Sequence, residues 1–321
     1  MDVANCGWRH YGNVRGLRRL KWLFEERLGS QLGRRGAWTA VVNCQAVRSD
    51  KEVRDVLFGS PSSTTTSSVG FELACHGWDN STPNNIDGSS LEDEVAYIRR
   101  CLLDLEAQRS AYHDEQVQDN SVSSSMTGRL TEHPKVDTWL TPGFKGSIFT
   151  ADAARMAGVR TLLDFCDEDF PYLYSSDRMQ RCISYGRDET NRDTPVATTT
   201  SPSDDEQQQQ QQQQQLVCIP YSMETNDFSL VLEMKHDNRQ YAQALVDHIR
   251  QLVMEAERDE DGEIGCGGGE RVVCLGMHTF VAGQPARVNA LGDALENLLD
   301  EFGEEKMYFA TAKEVGNRWR E

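Results

Sequence analysis

Leu17, Leu20, Phe24 and Leu28 recur at spacings of three and four, while Arg18, Arg19, Glu25 and Glu26 take the other face, which predicts a helix over 14–28. Gly36 then releases an apolar run, 37–42, with the length of a strand, and a short charged helix follows around 50–58. The next run, GFELACHGWDN over 70–80, alternates Phe71, Leu73 and Cys75 with Glu72, Ala74 and His76. That period of two is a strand's, and it sets His76 where the strand gives way to a polar turn. Downstream, a capping pattern from Ser89 to Glu92 opens a helix whose stripe is Leu91, Val95, Ile98, Leu102 and Leu105.

The same alternation continues to the end of the chain. Strands are expected at 136–140, 159–165, 216–221, 272–277 and 307–310, and helices at 150–158, 239–256 and 285–302. A closing helix to Trp319 starts from a capping box of Thr311 and Glu314. Helix-then-strand repetition means parallel strands joined by crossover helices, in an open doubly wound sheet or a barrel. No glycine-rich phosphate fingerprint follows any strand, which removes the usual reason to expect a nucleotide fold. Polar groups close successive strands instead: His76, Thr141, Asp164, Tyr221 and His278. In a barrel those ends share one face.

Composition narrows the function. Of 321 residues, 51 are Asp or Glu and 33 Lys or Arg, a net charge of −18, which argues against nucleic acid and anionic membrane surfaces as partners. The nine cysteines lie scattered in or beside apolar runs with no Cys-x-x-Cys pair, the pattern of reduced thiols in the cytoplasm rather than of disulfides or a structural zinc site. No apolar run approaches membrane-spanning length. One domain over 1–321 is expected, with surface or disordered insertions at about 59–69, 109–134, 184–215 and 257–270, the third carrying nine consecutive glutamines.

Several stretches, taken together and in order, carry a resemblance: HYGNVRG at 10–16, GFELACHGW at 70–78, TPG at 141–143, DFCDEDFPY at 164–172, IPYSMETND at 219–227, GMH at 276–278 and Gly283-x-Pro285-x-Arg287. The chain resembles the polysaccharide deacetylase family, the NodB homology domain, and within it the branch similar to metal-independent allantoinases. The resemblance implies an α/β fold, a distorted (β/α) barrel, and hydrolysis of a non-peptide carbon–nitrogen bond in a sugar or ureide substrate. Typical members carry a strand ending in an Asp pair before the first helix, so the barrel is expected to lack its first strand. Typical metal-dependent members also carry a second histidine one turn after the first, where this chain has Asn80. The expectation is therefore no cofactor, with a divalent metal such as zinc at His76 as the alternative.

On this reading His76, Asp169 and His278 are the catalytic candidates. His76 either donates a hydrogen bond to a substrate carbonyl or ligates a metal; His278 either protonates the leaving nitrogen, its unperturbed pKa lying near neutrality, or closes its loop through a backbone bond. Asp169 matches the family pattern best among Asp164, Asp167, Glu168 and Asp169. Trp78, Thr141 and Tyr221 are substrate-binding candidates, as are Glu224, Asn226 and Asp227, although Asn-Asp after a strand is also ordinary turn chemistry. Arg287 either holds a substrate oxygen by its planar fork or pairs with Asp293 on the surface. A catalytically inactive binder of sugar or ureide, and a non-functional fragment, are the alternatives to an enzyme. A homo-oligomer is compatible with the sequence.

Overall fold

The computed structural model describes residues 7–31, 37–59, 71–80, 90–119, 135–175, 215–260 and 270–320. Its centre is a six-stranded sheet in the order β1-β2-β3-β4-β6-β5. The strands are β1 (Trp38–Val42), β2 (Phe71–Cys75), β3 (Thr138–Trp139), β4 (Thr161–Leu162), β5 (Tyr172–Leu173) and β6 (Val217–Cys218). All neighbours pair in parallel except β5, which runs antiparallel to β6. The ladder begins at β1 and ends at β5, with no described pairing that joins the two. β5 was not expected: its residues, Tyr172 and Leu173, follow an acidic stretch and a proline that mask any strand period.

Strand periodicity distributes the core. Leu73, Cys75, Trp139, Leu162 and Cys218 face one way, into an apolar layer with Val47, Val53, Leu57, Ile98, Cys101 and Leu105. Those partners come from helices α2 (Cys44–Ser49), α3 (Lys51–Phe58) and α4 (Leu91–Asp119). Leu140, Leu163, Val217 and Ile219 face the other way, with Val41 and with Val315 and Trp319 of the closing helix α8 (Ala312–Arg320). α5 (Thr150–Ala157) adds Ala151, Ala153 and Ala154 to the first layer, and α6 (Asn238–Glu260) and α7 (Pro285–Lys306) pack against each other in a further apolar cluster. α8 is seated by a buried carboxylate. Glu72 accepts from Thr39 Oγ1 (2.9 Å), from the backbone N of Lys313 in the first turn of α8 (2.8 Å) and from Thr138 Oγ1. A negative charge at a helix N-terminus is stabilising, and here three donors satisfy it. The Thr311–Glu314 capping box is present as expected, with bonds of 2.7 and 3.1 Å.

Some boundaries move. α4 runs to Asp119, so the first part of the insertion expected at 109–134 is helix, fixed where buried Tyr112 reaches Asp55 at 3.1 Å; 120–134 lies outside the described residues. α6 likewise takes 257–260 from the acidic loop expected at 257–270, of which 261–269 is not described. The insertions at 59–69 and 184–215 lie almost wholly outside the described residues. The capping box expected from Ser89 to Glu92 is made one residue later, by Ser90 and Asp93. The runs 272–277 and 307–310 are not ladder strands. In the first, alternation still governs burial, with Val272 and Cys274 in one cluster and Val273, Leu275 and Met277 in another. Its backbone, however, bonds to loops: Val272 N to Asp169 O at 2.9 Å and Gly276 N to Thr225 O at 3.1 Å.

The first helical stretch, α1 (7–31), contains two π turns, Gly12–Gly16 and Leu23–Arg27. At the first, the chain comes against the loop 279–283 so closely that a Cβ on Gly16 would lie 1.9 Å from Thr279 O, and one on Gly283 would lie 2.4 Å from Gly16 Cα. Arg19 completes the joint by donating to Gly283 O at 3.0 Å. Backbone against backbone cannot yield, so Gly16→Ala is expected to cost about 1–3 kcal/mol, the range for overpacking. Urea unfolding measures this, and an unchanged midpoint would show that the joint is loose.

Candidate active site

Parallel pairing brings the C-terminal ends of β1 to β4 and β6 to one edge of the sheet, where Asn43, His76, Thr141, Asp164 and Tyr221 follow their strands. The backbone N of His76 continues the β1–β2 ladder by donating to Val42 O at 2.7 Å. Gly77 then turns at φ +69, with Pro142 and the Tyr97 hydroxyl where a side chain would stand. The ring of His76 is fixed by its Nδ1, 2.8 Å from Leu140 O. A carbonyl only accepts, so Nδ1 carries the proton and Nε2 is a bare acceptor. Burial pushes this imidazole down to about 4, and the neighbouring His278 lowers it too. His76 is therefore neutral near pH 7, and its one N–H is spent. It cannot donate to a substrate carbonyl as the sequence suggested.

The opposite wall is built from 225–228 and 276–282. Asn226 and Gly276 form a parallel bridge, and Asp227 N donates to Gly276 O at 2.9 Å. Gly276 is required there, since a Cβ would lie 2.1 Å from the Tyr221 hydroxyl. Asp227 is fully buried. Its Oδ1 lies 2.6 Å from His278 Nδ1, and its Oδ2 accepts from the backbone N of His278 (2.8 Å) and of Ala282 (2.9 Å). The carboxylate makes His278 the Nδ1–H tautomer, leaving Nε2 as the reactive nitrogen. With 36 % of its side chain exposed, His278 meets solvent between Phe228 and Phe280, whose ring centroids lie 5.6 and 5.5 Å away.

The other candidates separate into neighbours and supports. Thr141 and Asp164 fasten the β3 and β4 ends: Asp164 accepts from Thr141 N at 2.6 Å and from its hydroxyl, which in turn accepts from Trp139 Nε1 at 2.9 Å. Burial raises the Asp164 carboxyl to about 6. Asp169 and Glu224 are both exposed, and the carbonyl of Asp169 serves Val272. Tyr221 packs against Phe144 at 4.9 Å, and its hydroxyl accepts from Asn226 Nδ2 at 3.3 Å. The Asn226 oxygen caps Phe228 N at 2.8 Å. Trp78 turns toward the helices, its ring between Arg48 of α2 (5.5 Å) and Arg100 of α4 (4.4 Å). Arg287 donates to Val281 O at 2.8 Å, and Asp293 pairs with Arg27 instead. Among the described residues no group of three His, Cys, Asp or Glu is placed to hold a metal ion.

By sequence, no protein-family model and no curated protein matches the chain. Solved structures do. A probable polysaccharide deacetylase from Pseudomonas aeruginosa PAO1 superposes with a TM-score of 0.58 at 17% identity, over 97% of this chain and 75% of that one. The PuuE allantoinase gives 0.59 at 15% identity, over 99% of this chain and 76% of that one. The chain has the polysaccharide deacetylase fold.

Within the deacetylase fold of this chain, two features escaped the sequence. The pairing of Asp227 with His278 joins residues far apart in the chain, and only the close run of Asn226 against Gly276 reveals it. Glu72 sits on the same strand face as His76, four residues earlier, and a charged residue inside an apolar alternation was the clue. No helix among the described residues is long and apolar enough to cross a membrane.

Two titrating groups of this fold, His76 and Asp164, oppose each other. His76, held at about 4 against an unfolded value of 6.5, contributes stability that is complete above pH 6.5 and lost as the pH falls toward 4. Asp164, held at about 6 against 3.8, contributes stability that is complete below 3.8 and lost as the pH rises through 6. Each is worth at most about 3 kcal/mol. Glu72, raised by burial, has the sign of Asp164. Urea unfolding between pH 6.5 and 4 is expected to show His76→Gln gaining stability on acidification relative to the parent chain and Asp164→Asn losing it. The same slope in both variants would refute the two assignments.

Proposed function

We propose that the chain hydrolyses a non-peptide carbon–nitrogen bond in a linear or cyclic amide, such as an N-acetylated sugar or a ureide. The observation that carries this reading is the buried Asp227 bound to a half-exposed His278 at 2.6 Å. An imidazole held by a carboxylate at Nδ1 can take a proton at Nε2 and give it back. Water attacks the carbonyl carbon while His278 Nε2 removes its proton. Asp227 stabilises the imidazolium. The same Nε2–H then protonates the leaving nitrogen, the carbon–nitrogen bond breaks, and His278 returns to its neutral state.

His76 supports this cycle through its bare Nε2, which accepts a hydrogen bond from the attacking water and orients it. Its depressed proton affinity keeps it neutral, and so an acceptor, near pH 7. Tyr221, a neutral phenol because burial pushes its pKa up, donates to the carbonyl oxygen. Asp169 has no step in this scheme, because it is exposed away from the dyad's buried carboxylate. The same reading takes the sheet as part of a distorted (β/α) barrel, supported by successive parallel strands whose C-terminal ends meet at the site.

The test is turnover by the purified chain of N-acetylated sugars, followed by acetate release, and of cyclic ureides, followed by ring opening. His278→Gln and Asp227→Asn are expected to lower kcat by about 10²–10⁴-fold, the usual worth of general acid–base catalysis, while Asp169→Asn leaves it unchanged. Binding of a sugar or ureide by calorimetry with no product from the parent chain would overturn catalysis and leave a binding protein.

A further inference from the structure

The candidate site includes a polar chain that extends past the dyad. His278 Nδ1 meets Asp227 Oδ1; Asp227 Oδ2 accepts from Ala282 N at 2.9 Å; and the carbonyl of that same peptide, Val281 O, accepts from Arg287 Nη1 at 2.8 Å. One peptide unit thus lies between a guanidinium on its oxygen and a carboxylate on its N–H. Hydrogen bonds in such a series polarise one another, each strengthening the next. Val281 and Ala282 are buried, so the link is shielded from water.

We propose that Arg287 is a positioning residue for His278, setting the proton affinity of the imidazole by drawing on Asp227 through the Val281–Ala282 peptide. This deepens the acid–base reading of His278 and rests on it. It also gives Arg287 a different task from gripping substrate. The Nε of Arg287 and the hydroxyl of Tyr241, both buried, have no partner among the described residues, and the Tyr241 phenol lies within electrostatic reach of Asp227 and Arg287 alike. The Nε of the guanidinium is thus buried, while the side chain as a whole is half-buried.

The charges around His278 are accounted for on each side. Asp227 touches it, His76 faces it from the end of β2, and Tyr221 and Tyr241 stand near Asp227. On α1, Arg9 lies over the Phe280 ring at 5.1 Å, and Arg19 binds Gly283 O. Among the described residues, Arg287 is the cation joined to Asp227 through a single peptide. Taking its charge away leaves more of the carboxylate's field for the imidazolium.

The experiment is a proton NMR titration of the His278 ring in the full chain. Arg287→Gln is expected to raise the midpoint by roughly half a pH unit, and Arg287→Lys to restore most of it, since Lys keeps the charge. In the unmodified chain, which requires no variant to fold, the Arg287 side-chain nitrogen resonances are expected to titrate with the His278 midpoint. An unmoved His278 midpoint in Arg287→Gln, or Arg287 resonances that ignore the His278 titration, would overturn the proposal and leave Arg287 as a loop brace. The proposed activity is tested separately. A coupled titration in a chain that hydrolyses neither sugar amides nor ureides sinks the hydrolase and keeps the coupling, whereas turnover without coupling does the reverse.

Discussion

A carboxylate removed from water costs several kcal/mol unless its oxygens are met by donors, and the loop 276–282 is shaped to meet those of Asp227. Three N–H groups converge on it, two of them from the backbone, so the loop cannot shift without stranding a buried charge. That constraint explains the surrounding glycines. Gly276 gives way to the Tyr221 hydroxyl, and Gly283 gives way to α1. It also explains why 272–277, though apolar and alternating, is not a ladder strand. Its end meets Asn226 in one parallel bridge, and the backbone beyond turns around the Asp227 carboxylate.

The site accordingly has two walls of different construction. His76 is delivered by the regular part of the fold, at the end of a strand paired on both sides. His278 is delivered by irregular backbone locked around Asp227. Each ring spends Nδ1 on the protein and leaves Nε2 bare, yet one nitrogen is anchored to a carbonyl and the other to a carboxylate. A carbonyl fixes the ring without stabilising its charged form as a carboxylate does. The two imidazoles thus differ in their anchors: a carbonyl for His76 and a buried carboxylate for His278.

How much of this could be read from the chain follows from the range of each interaction. Periodicity found β1 to β4, β6 and the principal helices, because burial on one face is written locally. It placed His76 at a strand end and anticipated the Thr311–Glu314 box, a four-residue pattern. It gave no hint of β5, whose pairing with β6 spans 176–214, or of the π turns in α1, which the contact with 279–283 accompanies. Asp169 was favoured by its place in a motif, yet exposure is a tertiary property. The pairing of Asp227 with His278 was similarly out of reach, since 51 positions separate them and no spacing rule links the two.

The joint between α1 and the loop after His278 bears on how the molecule is made. Arg19 and Gly283 are 264 positions apart, and Arg27 reaches Glu296 across 269. Contacts of such separation close late, after the intervening chain has been threaded and its loop entropy met. On a ribosome, the helix at the start of the described chain therefore waits through most of synthesis with Leu20, Leu23 and Phe24 lacking the partners that later cover them. The wall that carries the reactive histidine is among the last parts to assemble, and the interval before it does is when a chaperone has the most apolar surface to hold.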